Sequence, residues 1–157
     1  MPTVWLPAPR FEQSRDGACL PACVRMVLAH WGDPRTEAEV AALLGTKPYG
    51  TPLSNVGRLS AWGHDALLTS LSRPALEALL EEGIPVIARL WTVMLDYWPV
   101  ETSHVALIVG YDEKTVLLND PAFAEQTRAV DWDAFLAAWA EFDEAAVIIR
   151  PGGEAPR

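Results

Sequence analysis

The chain has 157 residues, half of them hydrophobic and 21% charged, which is enough for one domain with a substantial core. Twenty-one Asp and Glu against twelve Lys and Arg leave a formal charge of −9 and a pI near 4.7. That balance, with no basic cluster, argues against nucleic acid or an anionic membrane surface as partner, and mildly favours a neutral or basic substrate.

In chain order, Pro2, Pro7 and Pro9 make residues 1–10 an extended N-terminal arm. The arm has neither the apolar stretch nor the cleavage site of a signal peptide. A domain over 11–150 follows, and PGGEAPR (151–157) reads as a disordered tail. The best apolar run, IPVIARLWTVML, is interrupted by Arg89, so no membrane insertion is expected and the chain reads as cytoplasmic.

Cys19, Cys23, Met26, Val27 and His30 fall on one helical stripe, which predicts a helix from Cys19 to His30 stopped by Gly32-Asp33-Pro34. Residues 36–45 form a second helix, with Thr36 and Glu39 as a capping box and Gly45 as its end. A third helix is expected over 53–62, a strand over 64–71 and a helix over 73–83. The period then changes. Residues 84–91, 103–112, 114–120 and 145–150 are β-rich, with one helix at 131–141 before the last strand. The fold class is α+β: a helical half packed on a mostly antiparallel sheet, with the natural site in the cleft between them.

Three separated pieces fit one site. Cys19 lies where Pro21 marks a helix start, and unpaired amides and the helix dipole there favour a thiolate. Cys23 lies one turn deeper and reads as core. Two cysteines one turn apart are poorly placed for a disulfide, so both are expected as free thiols. A thiol nucleophile needs a base. His30 is eleven residues along the same helix, roughly 16 Å away, and is too far. His64 lies in a turn-like context, which leaves His104 at the entry to a strand.

Asp120 leaves the next strand and can orient His104 only if both share a face. A three-residue loop of Asp112-Glu113-Lys114 would pair Tyr111 with Thr115 and Ala106 with Asp120, and place His104 diagonally beside the carboxylate. A two-residue turn would put them on opposite faces, so the shared site predicts a loop of three or five residues. Asn119 is the weaker candidate for the orienting role. On its residues alone, Gln13 reads as a loop glutamine. Trp91, Tyr97 and Trp98, with Met94, are candidate substrate contacts beside the cleft. Two Cys and three scattered His do not make a structural zinc site, so no metal and no cofactor are expected. No phosphate-binding loop or dinucleotide fingerprint is present.

Taken together, Gln13, Cys19-Leu20-Pro21-Ala22-Cys23 with Met26, His104 with VALIVGYD, and Asn119-Asp120-Pro121 resemble the papain-like bacteriocin-processing cysteine peptidases, the double-glycine leader peptidase group and its stand-alone relatives. The resemblance spans about residues 11–150. It implies a papain-like fold and cleavage of a peptide or protein substrate by a Cys19 thiolate. It also implies His104 as base and acid, Asp120 as orienter and Gln13 in the oxyanion hole. Where the family usually has Gly after the nucleophile this chain has Leu20, which is expected to narrow the cleft. The leader-cleaving members are usually fused to an export transporter, whereas this chain reads as one domain, so the leader substrate does not carry over. Two alternatives remain: the same site used for non-hydrolytic acyl transfer, and a catalytically silent peptide-binding module.

Overall fold

The β-rich second half supplies five strands of one seven-stranded antiparallel sheet, and two more come from the first half. The structure, a computed structural model, describes residues 2–152; of the tail expected to be disordered, 153–157 lie outside the described residues. The strands are β1 (Val4–Trp5), β2 (Asp65–Ser70), β3 (Val86–Trp91), β4 (Ser103–Tyr111), β5 (Thr115–Asn119), β6 (Arg128–Asp131) and β7 (Ala145–Arg150). Their order is β2-β7-β3-β4-β5-β6, with β1 paired to the end of β4.

Four α-helices flank the sheet: α1 (Cys19–His30), α2 (Glu37–Leu44), α3 (Arg73–Glu81) and α4 (Trp132–Ala140). Alternate strand residues face opposite sides. Ile87, Val105, Leu107 and Ile149 join a core with α1, α2 and the segment 53–62. Ala88, Ala106, Ile108 and Ile148 join a second core with α3 and α4. The expected α+β class stands, with helices on both faces of the sheet.

Local chemistry accounts for the element bounds. Thr36 and Glu39 form the expected capping box, with both reciprocal bonds made, at 3.1 and 2.9 Å, and Gly45 ends α2 in the left-handed conformation. Residues Leu53–Trp62 form a 3-10 helix rather than the expected α-helix. Pro52 and Gly63 bracket it and Gly57 sits inside it, so the segment lacks the propensity for a longer hydrogen-bonded run. The N-terminal arm is extended as expected, but it is part of the sheet. Thr3 N–H donates to Tyr111 O at 2.8 Å and Leu6 N–H to Val109 O at 2.7 Å.

The β4–β5 hairpin departs from expectation in an instructive way. Tyr111 pairs with Val116, not Thr115, so the loop has four residues, 112–115. Asp112 Oδ1 shapes it by accepting from the Lys114 and Thr115 amides at 2.8 and 2.7 Å. An even loop alone would set His104 and Asp120 on opposite faces. A β-bulge between Ile108 and Gly110 adds one residue to β4 and restores the register: Ile108 opposes Leu118 and Leu107 opposes Asn119. The next step sets Asp120 opposite Ala106.

Candidate active site

Cys19 is the first residue of α1, and its N-cap, Ala18, supplies no side-chain bond. The first-turn amides are therefore left for the thiol, except at Pro21, which has none. Gly17 shapes the approach. It has φ +86°, and a Cβ there would lie 2.3 Å from the Pro48 carbonyl oxygen. The loop carrying Pro48 thus packs directly on the backbone two residues before Cys19. Gln13 N–H donates to Pro121 O at 2.8 Å, which ties this N-terminal loop to the residue after Asp120.

His104 is buried at the start of β4, and its Nε2 is 2.7 Å from Asp120 Oδ1. Its side chain also neighbours Cys19, and each group favours the charged form of the other. Because Nε2 faces the carboxylate, Nδ1 is the ring nitrogen left for the thiol. Asp120 is fully buried and accepts four bonds. Oδ1 takes His104 and the Ala122 amide (2.9 Å); Oδ2 takes Tyr97 Oη–H (2.8 Å) and Trp98 Nε1–H (2.9 Å). The Trp98 ring covers the imidazole, with centroids 4.6 Å apart, and Phe123 meets both Trp98 and Tyr97 edge to face.

These contacts set the charges. Burial alone would raise the Cys19 thiol, but its hydrogen bond to His104, the imidazolium charge and the amides of Val105 and Leu20 together hold it below its usual value. Burial alone would depress His104, but its bonds to Asp120 and Cys19 push it up to about 9. Desolvation of Asp120 is outweighed by His104, and its carboxyl stays below the usual range. The arrangement favours the charged forms of all three groups, thiolate, imidazolium and carboxylate, in a row. Cys23 is different: fully buried, it is pushed well above the ordinary thiol range by desolvation, and its Sγ–H points at Val105 O, 3.6 Å away.

The pieces open into a cleft of about 590 Å³ lined by Gln13, Cys19, Trp98 and His104, with Pro48, Tyr49 and Leu53 on one wall and Val100 and Thr102 on another. Gln13 Nε2 donates to Arg15 O at 3.1 Å, while its Oε1 is buried without a partner. Of the three aromatic residues expected to contact substrate, only Trp98 lines the cleft. Tyr97 turns inward to Asp120, and Trp91 sits on β3 opposite Ser103, outside the lining. Leu20, expected to narrow the cleft, does border it, but it is only 2% exposed and most of its side chain packs into the α1 core. His30 and His64 lie elsewhere, bound to Gly83 O (3.0 Å) and Asp33 Oδ2 (2.8 Å). Among the described residues no cluster of three or more His, Cys, Asp or Glu is arranged to hold a metal.

Sequence reasoning missed the Ala122 amide, although Asn-Asp-Pro is a familiar setting for a carboxylate that accepts from the amide two residues on. It also missed the wall at 48–53, whose only sequence signal was its Pro and Gly content.

This fold and site define a papain-like α+β domain that pairs a helix-terminal thiol with a strand histidine. The chain belongs to the Peptidase_C39-like family, whose model matches residues 5–147. It is 32% identical over 115 residues to an uncharacterized protein of Methanothermobacter thermautotrophicus, covering 73% of this chain and 72% of that one. It is 28% identical over 138 residues to the uncharacterized protein YvpB of Bacillus subtilis, covering 76% of this chain and 53% of that one. The chain therefore spans about half the length of the Bacillus relative.

Among solved structures, a C39-like peptidase from Bacillus anthracis superposes with a TM-score of 0.80 at 16% identity, covering 96% of this chain and 98% of that one. A double glycine motif protease from an AMS/PCAT transporter, in complex with its leader peptide, gives 0.73 at 21%, covering 95% of each chain. The peptidase domain of Streptococcus ComA, a bi-functional ABC transporter, gives 0.74 at 18%, covering 92% of this chain and 98% of that one. At these identities the likeness is one of fold. Among the described residues no helix is long and apolar enough to cross a membrane.

Proposed function

We propose that this chain is a cysteine peptidase that hydrolyses a peptide bond through Cys19, His104 and Asp120. The observation that carries the reading is the buried row itself: Cys19 beside His104, whose Nε2 is 2.7 Å from a carboxylate that accepts four hydrogen bonds. The Cys19 thiolate attacks the carbonyl carbon, and the oxyanion forms beside the Cys19 amide and the Gln13 side-chain amide. His104 gives its proton to the leaving amine, and an acyl-enzyme remains. His104 then takes a proton from water, which attacks the acyl carbon; the acid leaves and the thiolate is regenerated. The leader peptide held by the transporter protease of similar fold supports a peptide as the substrate class here. Two free thiols suit a reducing, cytoplasmic setting.

The test is the pH dependence of iodoacetamide alkylation, with peptide mapping to separate Cys19 from Cys23. The expected result is fast labelling of Cys19 well below pH 8, slowed to the rate of an ordinary thiol by His104→Ala. Labelling of Cys19 only after unfolding would end the enzyme reading.

A further inference from the structure

A second cavity adjoins the cleft. It is lined by Leu68, Ser70, Phe142 and Asp143, and shares Pro52, Leu53 and Arg89 with the first. The two linings meet at Pro52, Leu53 and Arg89 and together make one groove, whose first part holds Cys19 and His104. Arg89 is the only Lys or Arg that lines either cavity among the described residues.

Its side chain is held in place. Nε–H donates to Ser103 Oγ at 2.9 Å, beside His104, and the Phe142 ring lies under the guanidinium, 4.1 Å from Cζ to centroid. That fixes one edge and one face and leaves both Nη groups without a hydrogen-bond or ion-pair partner among the described residues. Asp143 lines the same cavity without reaching ion-pair distance. A guanidinium with a pinned Nε and a free fork matches the two oxygens of one carboxylate. The acidic side chains of Asp16, which lines the cleft, and Asp143, which lines the second cavity, disfavour a more highly charged anion.

We infer that Arg89 is a specificity-determining subsite that binds a carboxylate of the peptide substrate a few residues from the scissile bond. This rests on the peptidase reading for what fills the groove. The carboxylate belongs either to an acidic side chain or to a free peptide C-terminus, and the experiment separates the two.

Peptides sharing one cleavable core of small residues are made with Glu or Gln at each flanking position in turn, and with free or amidated C-termini. They are compared by kcat/KM on the full chain, and by fluorescence anisotropy on Cys19→Ala, which holds peptide without cutting it. The expected result is a preference of about tenfold for Glu over Gln at one position, or for the free over the amidated end, carried mostly by KM. Arg89→Gln abolishes that ratio, Arg89→Lys retains part of it because charge survives without the fork, and Asp143→Asn increases it. Because each ratio compares two peptides on one protein, a loss of folded protein does not move it. Equal handling of every Glu/Gln and free/amidated pair, or a preference that survives Arg89→Gln, overturns the subsite. A Glu or free-end preference in binding without any cleavage supports the subsite and sinks the peptidase reading instead.

Discussion

At the scale of single residues, the site is a problem in keeping a buried carboxylate ionised. Asp120 achieves it by accepting four bonds, so neither oxygen is left unpaired in the interior. Tyr97 and Trp98 supply two of these; Trp98 also lies against the His104 ring and lines the cleft, whereas Tyr97 turns inward and acts by positioning. Removing the Tyr97 hydroxyl leaves part of a buried charge unsatisfied, at a cost of about 1.5–3 kcal/mol. Tyr97→Phe is therefore expected to lower stability by that order and to shift the His104 limb of the alkylation profile to lower pH. A purely structural role would reduce the folded fraction and leave the profile in place. The same row fixes the pH window. His104 is raised from the ordinary 6.5 to about 9, so its contribution to stability is fully present below about pH 6.5 and is lost as pH rises through 9. Asp120 is depressed, so its contribution is present above about pH 3.8 and is lost as pH falls through its lower folded value. Denaturant melts of wild type and Asp120→Asn should differ most between about pH 5 and 7 and converge toward pH 10. A difference that instead grows toward pH 10 would remove the ion-pair account.

At the scale of elements, register decides whether the row exists. The bulge between Ile108 and Gly110 lets a four-residue loop serve a site that needs Ala106 opposite Asp120. Gly110 follows the bulge where β1 crosses closest, and a Cβ there would lie 2.1 Å from Val4 O. That contact is with backbone and cannot be relieved by a rotamer change. Gly110→Val is expected to displace β1 and cost about 1–3 kcal/mol, read as a lower denaturant midpoint, with Cys19 alkylation slowed only if the bulge moves as well. The bounds of α1 were legible because Pro21 and Gly32 punctuate an apolar stripe. That Cys19, His104 and Asp120 would be neighbours was legible because chemistry narrows the residue types and the chain offered few candidates. The bulge was not legible: His104 and Asp120 share a face as the alternation required, but by an inserted strand residue rather than by the loop length. Nor were β1 and β6, which have two and four residues and exist only through their pairing with β4 and β5. The turn of Tyr97 and Trp98 toward Asp120 was equally hidden, since it joins side chains 22 or 23 residues apart across an irregular segment.

At the scale of the whole molecule, the site is divided between layers, with the thiol on a helix of one face and its partners on the sheet that both faces share. The N-terminal arm helps hold these parts together. Besides pairing with β4, it offers Ala8 O to the buried Asn119 Nδ2–H at 3.1 Å, while Asn119 Oδ1 accepts from Thr127 Oγ1–H at 2.8 Å. Asn119 is thus anchored from two sides, directly before Asp120. Deleting residues 2–8 removes the strand pairing and orphans a buried amide, for an expected loss of about 2–5 kcal/mol. Cys23 provides a gauge independent of activity. It is fully buried on the inner face of α1 and is alkylated only when the helical layer lifts from the sheet. If the molecule opens as one unit, Cys23 labelling in native buffer accelerates about tenfold for each 1.4 kcal/mol that denaturant melts lose on deletion. If Cys23 stays protected while Cys19 slows, the arm acts locally, through Asn119 on the placement of Asp120. Acceleration of Cys23 in step with the melts would instead mean that the arm, the sheet and α1 form a single cooperative unit.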